Sequence, residues 1–375
     1  MTGPLNGLKV VEMQGIGPAP LAGQFLADLG AEVTLVTRRS GPADPAEINA
    51  RGKRSVALNL KDPQGIEVAM ALIGKADVLI EGFRPGVMER MGLGPEPCLQ
   101  ANPRLIYGRM TGWGQDGPLA QTAGHDINYL GLTGFLHAIG PADAPPLPPL
   151  NIGADYAGGT MFLLFGIMAA IYERQGSGQG QVVDAAMVDG ASALMALIHS
   201  WIAQGQWSET RGANLLDGGA PFYGTYECAD GKFIAVGPLE PQFFAELVRL
   251  AGLPPNHMAS QNDATQWPDR RAAYAELFRQ KTRDEWTAIF DGSDACATPV
   301  LSWSEAPQHP HMAARGMFYE AQGVTQAAPA PRFSRSAHGQ PGSPPAPGGD
   351  NDHVLTELGY DADRIEALRA AGILT

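Results

Sequence analysis

Short apolar segments alternate with helical ones through the first third of the chain. Segments 8–13, 32–36, 55–60, 77–80 and 105–110 are rich in aliphatic and β-branched side chains and are bounded by Gly, Pro or charged residues. Each predicts a buried strand. Between them, 18–30 and a stretch from Pro63 carry helical spacing. Strands that alternate with helices predict a parallel, Rossmann-like sheet and an α/β fold. The Pro-rich stretch 140–150 breaks the alternation, and 155–173 and 186–204 then predict two long apolar helices. The longest uncharged run, 156–172, holds two adjacent glycines and is short for a bilayer span. It predicts a buried helix, and no membrane partner.

The pattern changes near Gly218. TYECADGKFIAVG has two apolar arms around Asp230-Gly231, the signature of a β-hairpin. Helices are predicted over 241–251 and 269–281, and Thr282-Arg283-Asp284-Glu285 has the form of a capping box opening another. The stretch 323–350 is rich in Pro, Gly, Ser and Ala and predicts an extended linker lying on a surface. The tail predicts two short helices, and no internal repeat is visible. A length of 375 residues also suits two lobes.

Composition narrows the function classes. A net charge of −13 argues against a nucleic-acid partner, which requires a basic face. The cysteines Cys98, Cys228 and Cys296 are few and lack CxxC spacing, so neither a disulfide framework nor a zinc site is expected. MTGPLNGLKVVEMQG lacks the basic and apolar regions of a signal peptide and reads as the first strand of a cytoplasmic protein.

Gly15-Ile16-Gly17-Pro18-Ala19-Pro20 superficially resembles the dinucleotide fingerprint, but Pro20 stands where the third glycine belongs. The end of the second strand carries Thr37-Arg38-Arg39 instead of an acidic residue. Arginines there suit a phosphorylated ribose, either that of NADP or the 3′-phosphate of CoA, or are a solvated surface pair. Arg51, Lys53, Arg54, Lys61, Arg84 and Arg90 fall within the first 90 residues of an acidic chain and together suggest a local site for a polyanion.

Two residues are candidates for proton transfer. His125 stands beside an expected helix start, where the N-terminal dipole favours the neutral imidazole and the amides near Asp126 and Ile127 are open to a developing oxyanion. Asp155 also stands at an expected helix start, where the dipole favours its carboxylate. Each has a plainer reading as a helix cap, with Asp126 the natural N-cap of the first helix.

AGHDINY, PRLIYGRMTGWGQ, GQVVDAAMVDG, RGANLLDGGAPFY and AVGPLEPQFF resemble the α-methylacyl-CoA racemases, within the wider family III CoA-transferases. The likeness runs from GLKVVEM to the LGYDADRIEALRAAGIL tail. RGKRSVALNLK and the tail are similar to the whole superfamily, whereas GHDINY and LEPQFF are more specific to the racemase branch.

The resemblance implies an interlaced homodimer. Its large Rossmann-like domain would span 1–185 and be completed by 333–375. A small α/β domain over 218–312 would be joined to it by linkers 186–217 and 313–332. It further implies His125 and Asp155 as the two bases and Glu240 as a support for the His125 side. CoA contacts are implied at Arg38, Leu58, Asn59, Leu60, Lys61 and Arg90, and the thioester segment at Ala123, Gly124, Asp126, Ile127 and Asn128. Ile16, Arg84 and Tyr129 complete the expected substrate-binding set. Two positions depart from the family pattern: Thr37 where Asp or Asn is common, and Leu215 in place of a Met.

The implied reaction interconverts (2R)- and (2S)-2-methylacyl-CoA thioesters through an enolate, with no metal or organic cofactor. The alternative is CoA transfer between carboxylic acids with Asp155 as nucleophile. An NADP oxidoreductase is disfavoured by the broken glycine motif, and a non-catalytic CoA-binding protein by the presence of His125, Asp155 and Glu240.

Overall fold

The computed structural model describes residues 3–336 and 339–375. They divide into two compact units. One is formed by the chain up to Thr133, by Pro149–Leu194 and by Gly316–Thr375; the other is formed by Gly134–Pro148 and Met195–Arg315.

The first unit is built on a sheet of six strands: β1 (Lys9–Met13), β2 (Glu32–Thr37), β3 (Arg54–Ala57), β4 (Val78–Glu81), β5 (Ile106–Thr111) and β6 (Gln181–Ala186). All pairings are parallel, in the order β3-β2-β1-β4-β5-β6. The order reverses between β1 and β4, and that reversal opens a crevice at the strand C-termini. The first five strands match the sequence pattern to within a few residues. QVVDAA of β6 has too little alternation to announce itself.

The helices of this unit are α1 (Pro18–Asp28), α2 (Pro63–Gly74), α3 (Val87–Arg90), α4 (Pro95–Ala101), α5 (Asp126–Leu132), α6 (Met161–Ser177) and α7 (Met187–Leu194). Neighbouring strand residues face opposite ways. Tyr107 of β5 therefore joins the core made with α2, α4 and the C-terminal helices, while Gly108 receives Leu163 and Ile167 of α6. The segment after Asn351 closes on the sheet edge: the Ala57 N–H donates to Asn351 Oδ1 (2.9 Å), and Leu58 bridges to Leu374.

Two expectations about the apolar helices change. The first begins earlier, with Ile152–Thr160 forming a π-helix that runs into α6, so that the Met161 N–H reaches back five residues to the Tyr156 carbonyl. Gly158 and Gly190 permit this stretch to lie close to α7, since a Cβ on Gly190 would sit 1.9 Å from the Gly158 carbonyl oxygen. Ile152–Ser177 is long and apolar enough to cross a membrane. It is buried on one side only, because Met161, Phe165 and Tyr172 are 53%, 74% and 77% exposed. The second expected helix is two, α7 and Ala196–Ala203, divided at Met195.

Three of the basic residues expected at a polyanion site are structural instead. Arg51 is buried against Asp28 and donates to Gln326 (2.7 Å), which pins the hairpin Phe318–Ala321 and Val324–Ala327 within the stretch expected to be linker. Lys53 is buried against Glu12 (2.6 Å), and Arg54 pairs with Glu357 (2.8 Å).

The second unit has an antiparallel three-stranded sheet, in which Phe233–Val236 lies between Gly224–Glu227 and Ala297–Val300. The hairpin turns through Asp230-Gly231 as expected, with Gly231 at φ +72°. Phe222, Phe244, Tyr274, Phe278 and Trp286 form the centre of its core. The capping box exists: the Glu285 N–H donates to Thr282 Oγ1, and the Thr282 N–H to Glu285 Oε2.

Candidate active site

A cavity of about 390 Å³ opens at the C-terminal ends of the parallel strands. Ile16, Gly17 and Pro18 line it after β1, Gly82–Pro85 after β4, and Met110–Trp113 at the end of β5. β1 and β4 flank the reversal of order, where open α/β sheets bind ligands, and β5 lies beside β4. Glu81 and Arg109, buried on β4 and β5, pair at 3.0 Å, and Glu81 Oε2 accepts the Phe83 N–H, which tethers the loop after β4.

His125 and Asp155 both line the cavity. His125, not Asp126, is the N-cap of α5. The Asn128 and Tyr129 N–H groups turn back to the His125 carbonyl, and Asn128 Oδ1 accepts the His125 N–H at 3.0 Å. The Asp126 and Ile127 amides are then the open donors of the first turn.

Asp155 lies in the first turn of the π-helix. Thr160 of the same stretch donates through Oγ1 to the Pro18 carbonyl (2.8 Å), which ties it to the start of α1. Burial pushes the Asp155 carboxyl above its ordinary range, and the Asp126 carboxylate pushes it further; a hydrogen bond from Asn151 and the nearby His125 pull the other way without cancelling the rise. A helix start by itself favours a readily ionised carboxylate. Desolvation prevails over the dipole here.

Tyr129 closes the wall beside His125. Its hydroxyl donates to the Gly124 carbonyl, and its ring meets Trp113 edge to face at 4.8 Å. Among the described residues, no cluster of three or more His, Cys, Asp or Glu is placed to hold a metal ion.

The profile of CoA-transferase family III matches residues 5–352. This chain belongs to that family. It is 45% identical to the α-methylacyl-CoA racemase of Mus musculus over 376 aligned positions, covering 99% of this chain and 97% of the mouse protein. Identity to the Homo sapiens protein of the same name is 42%, with the same coverage of each chain. The crystal structure of a CAIB/BAIF family protein from Brucella suis superposes with a TM-score of 0.80, covering 96% of this chain and 100% of that one at 29% identity.

Within this family member, the cavity gathers Ile16, Arg84, Ala123, Gly124, His125, Tyr129 and Asp155 from the expected set. Arg38, Leu58, Asn59, Leu60, Lys61 and Arg90 fall outside its lining. Leu58 is 1% exposed and packs in the core beside the sheet, with its N–H and carbonyl bonded to Thr37 and Leu60. Asp126 is buried behind the wall, and Ile127 and Asn128 are exposed on α5. Glu240 belongs to the second unit, where it is the exposed N-cap of Pro241–Ala251. Gly17, Phe83, Met110, Trp113 and Met187 were missed as lining residues. The C-terminal ends of β1 and β4, which flank the switch point, and of β5 beside them are the signal that could have found the first four.

Proposed function

We propose that this chain is an α-methylacyl-CoA racemase that interconverts the two C2 epimers of 2-methylacyl-CoA thioesters. The observation that carries the reading is the presence of His125 and Asp155 in one cavity, in a chain 45% identical to a protein of that name. The thioester carbonyl acidifies the C2 proton. One residue removes it, the enolate oxygen takes hydrogen bonds from the open amides of α5, and the other residue returns a proton to the opposite face. Reversing the roles reverses the direction.

The raised Asp155 carboxyl suits a group that must hold a proton in one direction. It is less suited to the alternative, transfer of CoA to another acid, which needs an ionised carboxylate nucleophile. The reading assigns the adenosine and phosphate end of CoA to Arg38, Leu58–Lys61, Arg84 and Arg90. It calls on no metal or organic cofactor and places the reaction in the cytoplasm. It also takes the working enzyme as an interlaced homodimer in which Glu240 of one subunit supports His125 of the other. The uncovered apolar side of α6 is consistent with a second copy.

The test is incubation of one epimer in D₂O without an acceptor acid. Deuterium enters C2 as the epimers interconvert if the reading holds. CoA transfer to added acids with no deuterium uptake overturns it in favour of the transferase.

A further inference from the structure

Asp126 is 4% exposed and lies directly after His125. Its Oδ2 accepts two successive amides of another element, Ala154 N–H at 2.7 Å and Asp155 N–H at 2.8 Å. Its Oδ1 is buried with no hydrogen-bond partner among the described residues. A side chain serving only α5 would spend its oxygens on that helix's own first turn. Here the carboxylate crosses 28 and 29 residues of sequence to hold the backbone under Asp155.

We infer that Asp126 is the positioning residue of this site: through one side-chain oxygen it sets where Asp155 stands relative to His125. The inference rests on the reading of Asp155 as a proton-transfer group. The clamp runs from the residue next to His125, through the short Asp126 side chain, to the backbone of Ala154 and Asp155, so a shift of the π-helix start changes the gap across which C2 must fit. The charge acts separately. Asp126 is buried and Asp155 half-buried beside it, so ionising both carries a cost, which favours the proton staying on Asp155.

The groups facing Asp155 are few. α5 contributes His125, Asp126 and Tyr129, and the Asn151 side chain donates to Asp155 from its own segment. Arg84, in the loop after β4, acts on Tyr129, and Gly17 at the start of α1 brings no charge. Asp126 is thus the one anion among them, and its removal acts in one direction.

The experiment compares Asp126→Asn with Asp126→Ala, using the full-length protein and a 2-methylacyl-CoA. Asn keeps an oxygen that accepts both amides and removes the charge; Ala removes both. Asp126→Ala is expected to lose roughly 100-fold in kcat, with KM within about threefold, and Asn to restore most of the loss. The pH profile of Asp126→Asn is expected to move to lower pH in both directions: the acid limb where Asp155 accepts the proton, and the alkaline limb where it donates. Equal kcat in the two variants, or an Asn profile superposable on that of the parent, overturns the inference. Should Asp126→Asn fail to fold, ¹³C-carboxyl NMR of the parent protein decides, with Asp155 assigned by Asp155→Asn. An Asp155 signal that titrates above the ordinary carboxylate range and senses a second step from Asp126 supports the coupling, and a single ordinary step overturns it. Asp155→Asn also separates the two levels. If it retains epimer interconversion, the functional reading fails; if it loses interconversion while the Asp126 results are null, only this inference fails.

Discussion

Lys53 Nζ lies 2.6 Å from Glu12 Oε2, with both side chains 1% exposed. Burial pushes each group toward its neutral form, the Glu12 carboxyl upward and the Lys53 ammonium downward. Lys53 also donates to the Pro20 carbonyl (3.0 Å), so the pair fastens β1 and the residue ahead of β3 to the first turn of α1. Gly23 leaves the space this requires, since a Cβ there would sit 1.7 Å from Glu12 Oε2.

Removing one member of this pair strands the other. Lys53→Met is expected to cost about 3–5 kcal/mol, and Lys53→Met with Glu12→Leu to recover most of that. Urea unfolding of the two single variants and the double variant measures the coupling. Losses that simply add would show that the pair contributes no mutual stabilisation.

Asp155→Asn is expected to lower epimer interconversion by roughly 10²–10⁴-fold. It should also stabilise the protein near pH 7. The folded-state carboxyl is raised, so the native fold holds an ionised Asp155 at a disadvantage above that raised value. Below the unfolded carboxyl range both states carry the proton and the disadvantage vanishes. The Tm difference between variant and parent should therefore be positive at pH 7 and shrink as the pH falls toward 4. A parent more stable than the variant at pH 7 would contradict the burial argument.

Arg84 lines the cavity after β4 and is assigned to substrate binding rather than proton transfer. Arg84→Ala is expected to raise KM by about tenfold or more and leave kcat within about twofold, the pattern of a contact equally strong in ground and transition states. Steady-state kinetics with a 2-methylacyl-CoA checks it; a loss confined to kcat would place Arg84 in the chemistry.

Gly190→Ala puts a methyl group into the Gly158 carbonyl. Expected consequences are a loss of about 1–3 kcal/mol in stability and reduced deuterium exchange at C2, because α7 and the stretch bearing Asp155 must separate. Unchanged denaturation and exchange would mean that the contact is not tight in solution.

Much of the large unit was legible because strand and helix periodicities are local. Val10, Val33, Val56 and Leu79 announce their strands without reference to partners. Ion pairs and long-range hydrogen bonds are not local. Arg51 meets Gln326 across 275 residues, Lys53 meets Glu12 across 41 and Arg54 meets Glu357 across 303, so three residues that read as phosphate ligands serve the fold. His125 and Asp155 were visible as helix-start residues, and their shared cavity was not, since it depends on where α5 and the π-helix pack. Asp126 was the harder case. Its sequence position suggests a cap for α5, and its side chain instead caps the start of a different helix.

The π-helix ahead of α6 has a consequence for phase. A regular α-helix advances 100° per residue, so a carboxyl at one end and a core-facing pair two turns on would be held at a fixed angle. Five-residue bonding over Ile152–Thr160 breaks that lock. Asp155 is aimed at the cavity while Leu163 and Ile167 keep their seats on Gly108. Deleting one residue from this stretch would put the helix back in step and swing either the acid out of the cavity or the helix off the sheet.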